Sequence, residues 1–553
     1  MSFGSWLREQ RQAHKYSLRK LAAELGVHYV YLSQLEREVE RPSEALVRRL
    51  AALFHHPDPD SLVLLAGKLP QHLRNALVGN PGGTQVMLRR ILGGEKAVAQ
   101  DQVKAAWREE ARRQWIFHIG DTLRALRELG QDVSDLEPLV QAGQQALADD
   151  DAGRLWRQIA LIRHALRQRR GSAPLLPGLD DDAQLLARLE TSDDPERPTT
   201  WRGLAAAVPA WPREPVQIEQ HSEQPKPRLS RAEYEDRTRA GWLGKMIGGA
   251  LGTPVEGWPQ AKIAQEHGEV EGYLRQPDTF NDDTAYELTF LAAMEQTGGE
   301  PTSEDLGLEW VERIPVACTA EEIAIRNMQQ GILPPLSAWL NNPYAEWIGA
   351  QMRGEVCGFV APLSPERAAT LAWRDALVSH VREGMYGEVF NAVMISLAYA
   401  HPDVPDLIEQ ALRYVPARSL FAQAIRDTVA ACEETNDWKE AWAKVAPNWV
   451  ARYHWVHTLA NIPAVIIGLW FGRGDFGRTI CITTMCGGDT DCTAGQAGAI
   501  AGVLVGTAGI PPAWREPLGD KMQSWVVGME ELSLDELVAR TCRWGGPFAK
   551  PTA

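Results

Sequence analysis

The sequence predicts an all-α protein assembled from several domains. Its 553 residues are too many for one domain, because a single domain holds roughly 100–200 residues. Apolar residues recur at helical spacing along most of the chain, and the β-branched alternation that indicates a sheet is scarce from about residue 231 onward. A hydrophobic content of 44% with 23% charged residues is ordinary for a globular protein. Global disorder and uniform nucleic-acid binding are therefore excluded.

Charge is distributed unevenly along the chain. Residues 1–175 contain 26 basic and 20 acidic side chains, whereas the remainder contains 31 basic and 52 acidic side chains. A basic first part and a strongly acidic second part indicate that two different chemistries share this protein.

Signals for export or membrane insertion are not evident. The N-terminal stretch MSFGSWLREQRQAHKYS carries charges where a signal peptide needs an apolar segment. The most apolar run, Ile462–Trp470, has about half the length of a membrane-spanning helix. All seven cysteines lie in the acidic part without a CxxC pair, which is typical of reduced cytosolic thiols. We therefore expect a cytoplasmic protein with no membrane partner, associated with the nucleoid when it binds DNA.

The first predicted domain, residues 1–70, consists of short helices. Ser17 stands at an N-cap position and Gly26 at a helix end. Between them, four residues share one apolar helix face: Leu18, Leu21, Ala22 and Leu25. A second helix is expected from about His28 to Arg37, and Ser43 caps a third. A helix, a short glycine turn and a second helix form the geometry that places a helix in the DNA major groove.

Three further regions follow. Residues 71–175 are predicted to be a helical connector or dimerisation region, because amphipathic helices continue through them without a chemical motif. Residues 176–230 hold proline, serine and acidic clusters and predict a linker, with one docked helix near 181–190. Residues 231–553 are helix-rich again and form the last predicted domain.

The stretch LRKLAAELGVHYVYLSQLEREVERPSEALVRRLAALF resembles the helix-turn-helix of the Cro/CI-type (Xre) repressor family. It departs from that family at Glu38, where glycine usually follows the Glu-Arg pair. The resemblance implies binding to a double-stranded DNA operator, and the half-site geometry of such operators favours a homodimer. The alternative is a helical module used only for protein contacts.

The resemblance to that family implies two sets of DNA contacts. The N-terminal half of the second helix reads base edges in such domains, and the residues placed there are His28, Tyr29, Tyr31, Ser33 and Gln34. Phosphate contacts are implied for Arg11, Arg19, Lys20, Arg37 and Arg41. Residues 1–70 carry 10 basic and 8 acidic side chains, so net charge alone does not decide between DNA and protein partners.

Two short acidic segments of the last domain predict a metal site. Residues 278–284 read DTFNDDT and residues 485–493 read MCGGDTDCT. Adjacent aspartates repel and are costly to desolvate unless a cation neutralises them, and oxygen clusters suit Mg²⁺ or Mn²⁺. Taken singly, the first segment is also typical of a solvated helix N-cap, and the second is similar to a calcium loop but lacks the further ligands and the glutamate of an EF-hand. Gly487 and Gly488 let the backbone approach a ligand closely.

Five ordered blocks between residues 236 and 515 carry a second resemblance. They are RAGWLGKMIGGALGTPVEG, DTFNDDTAYEL, NNPYAEWIGAQMRGEVCG, LAWRDALVSHVREGMYGEVFNA and HTLANIPAVIIGLWFGRGDFGRTICITTMCGGDTDCTAGQAGAIAG. They resemble the ADP-ribosylglycohydrolase family, which includes dinitrogenase-reductase-activating enzymes and ADP-ribosyl-acceptor hydrolases. The resemblance implies an all-α C-terminal domain with two Mg²⁺ (or Mn²⁺) ions, and ADP-ribose or an ADP-ribosylated substrate as partner.

The same resemblance assigns roles to individual residues. The implied metal ligands are Asp282, Asp283, Asp489 and Asp491, with Asn281 or Thr284 adding an oxygen. Glu256 matches a glutamate that some members bring to the metal on a mobile loop. The implied catalytic carboxylates are Glu256, Asp283 and Asp489. His380 and Tyr386 match positions near the ADP-ribose cleft, and ordinary packing is the alternative for both.

Three positions depart from the family pattern. Asn281 stands where many members have a hydroxyl residue, although its amide oxygen can still bind a cation. Cys492 replaces the Thr or Ser that follows the second Asp-x-Asp, and a thiol is a poor magnesium ligand. Gly249 stands where many members have aspartate. These departures leave metal binding expected and make full turnover the open question.

The predicted function combines DNA binding with ADP-ribosyl chemistry. We expect a transcriptional regulator whose last domain binds a divalent metal and hydrolyses an ADP-ribosyl linkage through an oxocarbenium-like transition state. The alternative is a ligand-sensing transcription factor whose hydrolase-like domain binds ADP-ribose or a related nucleotide without turnover.

Overall fold

The computed structural model confirms the all-α fold class. It describes residues 3–25, 27, 29–36, 42–54, 56, 62–63, 66, 96–120, 122–123, 132–168, 182–191, 193–216, 229–400 and 403–545. Strands within these ranges are limited to one two-stranded antiparallel sheet. The chain divides into an N-terminal unit, Met1–Gln85, and a C-terminal unit, Val86–Ala553. Each unit is described by its own packing.

The N-terminal unit contains four described helices: α1 (Phe3–Ala13), α2 (Leu18–Leu25), α3 (Tyr29–Glu36) and α4 (Glu44–Leu53). Their apolar faces form one core in which Leu7, Leu21 and Leu32 are fully buried. Ser43 caps α4, because its hydroxyl accepts a hydrogen bond from the Leu46 amide. Ser17 plays the same role before α2, where its hydroxyl accepts from the Lys20 amide. The turn residue Gly26 lies outside the described residues.

Helices of the predicted connector belong to the C-terminal unit. They are α5 (Lys96–Arg113), which runs into a π-helical turn, α6 (Glu137–Ala148) and α7 (Ala152–Arg167). Arg157 of α7 forms an ion pair with Glu309 at 3.0 Å, and Arg163 donates to the Gln329 carbonyl at 2.6 Å. These contacts reach into the part of the chain that carries the acidic motifs. The region is therefore packed against the last predicted domain.

The predicted linker contains ordered structure. It includes α8 (Asp182–Thr191) and α9 (Trp201–Ala207). Around α9, Trp201 packs against both Trp211 and Trp373. Just before it, Arg197 bridges Glu346 and Glu383, each at 2.7 Å. Residues 193–216 thus form a strap within the C-terminal unit, packed against Glu346, Trp373 and Glu383.

The rest of this unit is helical in its described residues, apart from one pair of short strands. In chain order its helices are α10 (Arg231–Gly252), α11 (Gln260–His267), α12 (Asp282–Thr297), α13 (Ser303–Arg313), α14 (Thr319–Gln329), α15 (Leu336–Trp339), α16 (Glu355–Phe359), α17 (Pro365–Ala376), α18 (Arg382–Ala398), α19 (Val404–Leu412), α20 (Leu420–Glu433), α21 (Trp438–Trp449), α22 (Thr458–Gly472), α23 (Phe476–Cys486), α24 (Thr490–Gly509), α25 (Pro512–Arg515) and α26 (Leu534–Cys542). The strands β1 (Lys521–Gln523) and β2 (Glu531–Ser533) pair just before α26, with Met522 opposite Leu532.

Glycines bring α10 and α24 into direct backbone contact. A Cβ atom at Gly248 would lie 1.9 Å from the Ala494 carbonyl oxygen, and one at Gly244 would lie 2.0 Å from the Gly498 carbonyl oxygen. Side chains at these positions would force the helices apart, so only glycine permits the approach. The contact places the start of α24, which carries the second acidic motif, beside the end of α10.

Within the described residues, no helix combines the length and apolar character that are needed to cross a membrane.

Candidate functional site

The two acidic motifs lie at the N-termini of α12 and α24. Asn281 caps α12, because its Oδ1 atom accepts a hydrogen bond from the Asp283 amide at 2.9 Å. Asp489 precedes the first turn of α24, and its amide donates to Asn461 Oδ1 at 3.0 Å. Helix N-termini carry partial positive charge and stabilise nearby carboxylates. The cap formed by Asn281 therefore positions the first motif, and the hydrogen bond to Asn461 of α22 positions the second.

The paired glycines of the second motif connect it to the loop after Glu256. Gly487 and Gly488 have positive φ angles of 79° and 82°, which side-chain-bearing residues rarely adopt. Gly488 accepts a hydrogen bond from the Gly257 amide and donates one to the Trp258 carbonyl, both at 2.9 Å. The close backbone approach that the sequence predicts is therefore made, within the described residues, to another segment of the chain. It holds Glu256 next to the second motif.

Three distant parts of the chain meet in two overlapping groups of potential metal ligands. In the first group, Glu256, Asp489 and Asp491 bring one carboxylate oxygen each to within 4.8 Å of one another. In the second group, Asp283, Asp491 and Cys492 satisfy the same limit. All five side chains are buried, and Asp491 belongs to both groups. The structure thus brings together four of the carboxylates that the sequence analysis singles out.

The remaining predicted ligands have other contacts. Asn281 donates from its amide nitrogen to Asp491 Oδ2 at 3.3 Å, while its oxygen serves as the helix cap. Thr284 donates to the Asn281 carbonyl at 3.1 Å. Asp282 is in neither group. Its carboxylate instead acts on Glu321. Burial raises the pKa of Glu321 to about 7, the Arg353 charge opposes this rise, and the Asp282 charge adds to it. Asp282 and Glu321 therefore lie close enough for their charges to repel.

Asp489 is the least compensated carboxylate of the first group. Its side chain is fully buried, and neither carboxylate oxygen has a hydrogen-bond partner among the described residues. Burial raises the pKa of Asp489 well above its usual value, and the neighbouring carboxylates of Asp491 and Glu256 raise that pKa further. A buried anion in this state requires either a proton or a cation.

The first group fits a hard divalent cation. Its donors are all carboxylate oxygens, which Mg²⁺ and Mn²⁺ prefer. The unsatisfied oxygens of Asp489 point to a group that the protein side chains do not supply. A divalent ion held by Glu256, Asp489 and Asp491 would remove the repulsion between the three carboxylates.

Sequence analysis missed a buried lysine beside the second group. Lys245 of α10 is buried, and its Nζ atom lies 3.0 Å from Glu355 Oε1 and 3.5 Å from Asp283 Oδ2. Burial lowers the pKa of Lys245, but the carboxylates of Glu355, Asp283 and Glu287 outweigh burial and raise the pKa above its usual value. The available signal was a single lysine inside the otherwise apolar and glycine-rich stretch GWLGKMIGGALG.

A second buried cation, Arg353, was also missed by sequence analysis. Its guanidinium forms an ion pair with Glu321 at 3.0 Å and with Glu388 at 3.6 Å, and it also contacts Asp375. Arg353 lies within the NNPYAEWIGAQMRGEVCG block, whose pattern does not reveal partners from α14, α17 and α18.

The two residues predicted to lie near the ADP-ribose cleft are buried. The Nδ1 atom of His380 lies 2.7 Å from the Ser379 hydroxyl, and burial followed by the Arg353 charge lowers the pKa of His380 well below its usual value. Tyr386 donates its hydroxyl to the Pro198 carbonyl at 2.6 Å. The strap at residues 193–216 therefore covers Tyr386.

A cavity of about 640 Å³ lies beside the loop that follows Glu256. Its walls are largely apolar and include Trp258, Trp442, Trp455, Gly257 and Gly488. Because Gly488 directly precedes Asp489, this cavity adjoins the first group of carboxylates. It offers space for an organic ligand next to the candidate metal position.

In the N-terminal unit, the predicted DNA-reading residues lie partly on the surface. Tyr29 at the start of α3 is 40% exposed, and the Arg19 guanidinium lies 5.4 Å from the centre of its ring. Tyr31, Ser33 and Gln34 are half-buried, and Lys20 is exposed.

Arg11, predicted to contact phosphate, has an internal partner. Its guanidinium forms a two-pronged ion pair with Glu36 and donates to the Tyr16 carbonyl at 3.0 Å. These contacts tie α1 to the end of α3. His28, Arg37 and Arg41 lie outside the described residues.

Comparison with protein-family models decides the family. A model described as ADP-ribosylglycohydrolase matches residues 230–546, which is more than half of the chain. The chain belongs to the ADP-ribosylglycohydrolase family. A second model, described as helix-turn-helix, matches residues 7–69 of this ADP-ribosylglycohydrolase-family protein. Both resemblances predicted from the sequence are confirmed.

Relatives of this ADP-ribosylglycohydrolase-family protein match about half of its length. An uncharacterised protein of Archaeoglobus fulgidus is 28% identical over 304 residues, covering 52% of this chain and 93% of the relative. Uncharacterised protein YegU of Escherichia coli K12 is 24% identical over 320 residues, covering 51% and 92%. A solved structure titled ADP-ribosylglycohydrolase-related protein complex is 21% identical with a TM-score of 0.40, covering 57% of this chain and 98% of that one.

Proposed function

We propose that this protein is a DNA-binding regulator whose C-terminal domain binds a divalent cation and hydrolyses an ADP-ribosyl glycosidic linkage. The observation that carries the proposal is the buried meeting of Glu256, Asp489 and Asp491, inside a domain of the ADP-ribosylglycohydrolase family. A helix-turn-helix in the same chain supports the regulatory part. The proposed ligands are a double-stranded DNA operator and ADP-ribose or an ADP-ribosylated substrate.

Mg²⁺ or Mn²⁺ is the proposed cofactor. Glu256, Asp489 and Asp491 would hold the ion, since their oxygens form the first group. When bound, such an ion polarises ribose hydroxyls and lowers the pKa of a coordinated water. The expectation of two ions depends on the second group, in which one of the three donors is the thiol of Cys492.

Two carboxylates are proposed to serve the chemical step itself. Glu256 follows directly on a short 3₁₀ turn and precedes Gly257, which lines the cavity. Its carboxylate is proposed to take a proton from an attacking water and return it to the leaving group. The glycosidic transition state has oxocarbenium character. The Asp283 carboxylate, which groups with Asp491 and Cys492 and is only partly offset by the Lys245 ammonium, is proposed to stabilise that developing positive charge. Asp489 is proposed to act with them by orienting the water.

The regulatory part of the proposal rests on the N-terminal unit. Tyr29, Ser33 and Gln34 on α3 are proposed to reach base edges, while Arg19 and Lys20 hold the DNA backbone. Operators for such domains are two-fold symmetric, so we propose that the protein binds DNA as a homodimer in the cytoplasm.

One experiment separates hydrolysis from binding. Purified full-length protein with Mg²⁺ is mixed in parallel with ADP-ribosylated peptide, ADP-ribosylated nucleic acid and an ADP-ribosylated small molecule, and released ADP-ribose is measured by mass spectrometry. The proposal predicts release from at least one substrate and its loss in Asp489→Ala. Release that persists unchanged in Asp489→Ala would remove the carboxylate cluster from the mechanism.

A second candidate function is a ligand sensor without turnover. The observation that favours it is the state of Asp283, whose Oδ1 atom accepts from the Cys492 thiol at 3.3 Å and whose Oδ2 atom faces Lys245. These contacts compete with any role of Asp283 at a metal or a reacting sugar. A sensor would bind ADP-ribose in the calorimeter, release no ADP-ribose from any substrate and change its DNA affinity with occupancy.

A further inference from the structure

The two groups of potential metal ligands differ in what already surrounds them. We infer that one divalent cation binds each chain, at Glu256, Asp489 and Asp491, and that Lys245 supplies a fixed positive charge in place of a second ion. This inference rests on the cation binding of the proposed function and not on hydrolysis. It replaces the pair of ions that the family resemblance implies.

The first group is made up of carboxylates alone. All three donors are carboxylates within 4.8 Å of one another. Both oxygens of the fully buried Asp489 have no hydrogen-bond partner in the described part of the chain. An oxygen-only site with unsatisfied, desolvated carboxylate oxygens has the composition that Mg²⁺ or Mn²⁺ requires. This group is therefore built to take a cation from solution.

The second group already has a cation. The ammonium of Lys245 lies 3.5 Å from Asp283 Oδ2, so a cation of the protein already offsets part of the Asp283 charge. The other carboxylate oxygen of Asp283 accepts from the Cys492 thiol at 3.3 Å. A divalent ion entering here would have to break the hydrogen bond from the Cys492 thiol to Asp283, and the Lys245 ammonium would repel it.

Lys245 is held in place by its surroundings. Its ammonium also donates to the Met352 carbonyl and to Glu355 Oε1, which gives two of its three protons a hydrogen-bond partner. The absence of a side chain at Gly495 makes room for it, because a Cβ atom there would lie 3.3 Å from the Lys245 Cδ atom.

The donor chemistry of the second group also disfavours a hard cation. Cys492 offers a sulfur atom. Thiolate ligands favour soft metals such as zinc or Cu(I), whereas Mg²⁺ and Mn²⁺ prefer oxygen ligands. Position 249 brings no carboxylate because it is glycine. A side chain there would also be too close to Asn281, since a Cβ atom at Gly249 would lie 2.8 Å from the Asn281 amide nitrogen. The second group therefore holds two carboxylates, one thiol and one adjacent ammonium, so its formal charge is −1, whereas the three carboxylates of the first group sum to −3.

Counting bound Mn²⁺ tests the inference directly. Metal-free full-length protein is titrated with Mn²⁺ by calorimetry, and the bound ion is examined by electron paramagnetic resonance. The expected result is one Mn²⁺ per chain with the spectrum of an isolated ion. Two ions of similar affinity, an exchange-coupled spectrum, or no uptake at all would each overturn the inference.

A matched pair of substitutions locates the ion. Asp489→Asn is expected to weaken Mn²⁺ binding by about 100-fold or more, because it removes a direct ligand, whereas Asp283→Asn is expected to weaken it by less than about tenfold. Circular dichroism confirms that both variants are folded. Equal losses in the two variants would contradict the assignment of the ion to the first group.

A gain-of-binding variant tests the part played by Lys245. Lys245→Met removes the charge with little change of volume, and Cys492→Thr restores a hydroxyl oxygen. The double variant is expected to bind a second Mn²⁺ and to show exchange coupling between the two ions, while Cys492→Thr alone remains at one ion. If the double variant does not fold, the count in the unmodified protein decides. Hydrolysis is not measured in any of these experiments, so failure of the proposed enzymatic activity leaves their outcome unchanged.

Discussion

The residues proposed to read DNA and those proposed to bind a metal are placed in opposite ways. In the N-terminal unit, Tyr29 is exposed at the start of α3 and Arg19 lies over its ring. In the C-terminal unit, Asp283, Asp489 and Asp491 are all fully buried. Exposed polar groups keep their hydration, whereas buried carboxylates lose it and need compensation. The first surface thus adds function at little cost in stability, and the second depends on cations supplied by the chain or by solution.

The same contrast holds for the arginines that tie each region together. Arg11 pairs with Glu36 at the edge of the N-terminal core, where its side chain is 14% exposed. Arg353 pairs with Glu321, Asp375 and Glu388 where every partner is buried. Removing Arg11 leaves Glu36 with the more exposed Arg8 at 3.7 Å, whereas removing Arg353 leaves buried carboxylates without their shared cation.

Replacing these two arginines gives the largest expected difference between the regions. Arg353→Met is expected to destabilise the C-terminal unit by about 3–5 kcal/mol, because three buried acids lose their shared cation. Arg11→Met is expected to destabilise the N-terminal unit by about 1 kcal/mol. Chemical unfolding followed by tryptophan fluorescence and circular dichroism measures both. Similar losses in the two variants would contradict the contrast in burial.

The second-largest expected effect is the pH dependence of stability that His457 causes. Burial, followed by the charges of Arg197 and His454, lowers the pKa of His457 from 6.5 to about 4. Between these values the unfolded chain binds a proton that the folded protein does not, so stability falls as pH decreases from 6.5 towards 4, by about 2–3 kcal/mol. His457→Asn is expected to remove that part of the dependence, since asparagine can replace the cap that the His457 ring provides for the Leu459 amide.

Unfolding free energies of both proteins, measured at several pH values between 4 and 7, provide the check. Glu321, whose pKa is raised to about 7, acts in the opposite direction because its contribution is lost as pH rises. Since Glu321 is present in both proteins, the difference between them isolates His457. A difference that does not change with pH would show that His457 titrates normally in the folded state.

A smaller effect is expected at the metal position in the absence of metal. Asp489→Asn should stabilise the protein in EDTA by about 1–2 kcal/mol, because it removes a buried carboxylate that lacks partners. In Mn²⁺ at about 100 times its dissociation constant, the unsubstituted protein should gain about 2.7 kcal/mol, which reverses the order. Thermal unfolding in both buffers measures the change. Asp520→Asn, at an exposed site, is the control and should change stability in neither.

A lower stability of Asp489→Asn than of the unsubstituted protein in EDTA would show that the Asp489 carboxylate is satisfied without a cation. The comparison between exposed and buried functional groups would then fail at its central residue.

The smallest expected effect is on the DNA surface. Arg19→Ala should reduce the slope of log affinity against log salt concentration by about 1, because it removes one phosphate contact. Stability should change little, since Arg19 is exposed. Fluorescence anisotropy with operator DNA at several salt concentrations measures the slope. Arg413→Ala, an exposed cation of the C-terminal unit, serves as the control; an equal change there would point to a general charge effect.

Sequence alone predicted what depends on local spacing. The apolar face of α2, the Ser43 cap and the all-α class follow from patterns a few residues long, and the structure confirms them. The sequence motifs also identify Asp283, Asp489 and Asp491 as candidate ligands, and the structure brings these carboxylates together. Their roles as metal ligands stay a prediction. Local chemistry within each motif is sufficient for that much.

Contacts between distant segments could not be predicted in this way. Lys245 meets Asp283 only because glycines let α10 pack closely against α24 and its neighbours. Tyr386 finds the Pro198 carbonyl 188 positions away, so a residue predicted near a ligand cleft is covered by a strap. Neither partner is visible in a motif, since both depend on how helices far apart in sequence are placed.

The most direct test of the account is the position of a bound cation. Crystals of the full-length protein grown with Mn²⁺ would be examined by anomalous diffraction at the manganese edge. The account predicts one strong peak surrounded by the carboxylates of Glu256, Asp489 and Asp491, with the Lys245 ammonium still beside Asp283. No peak between these carboxylates, or a peak at a distant surface, would contradict it.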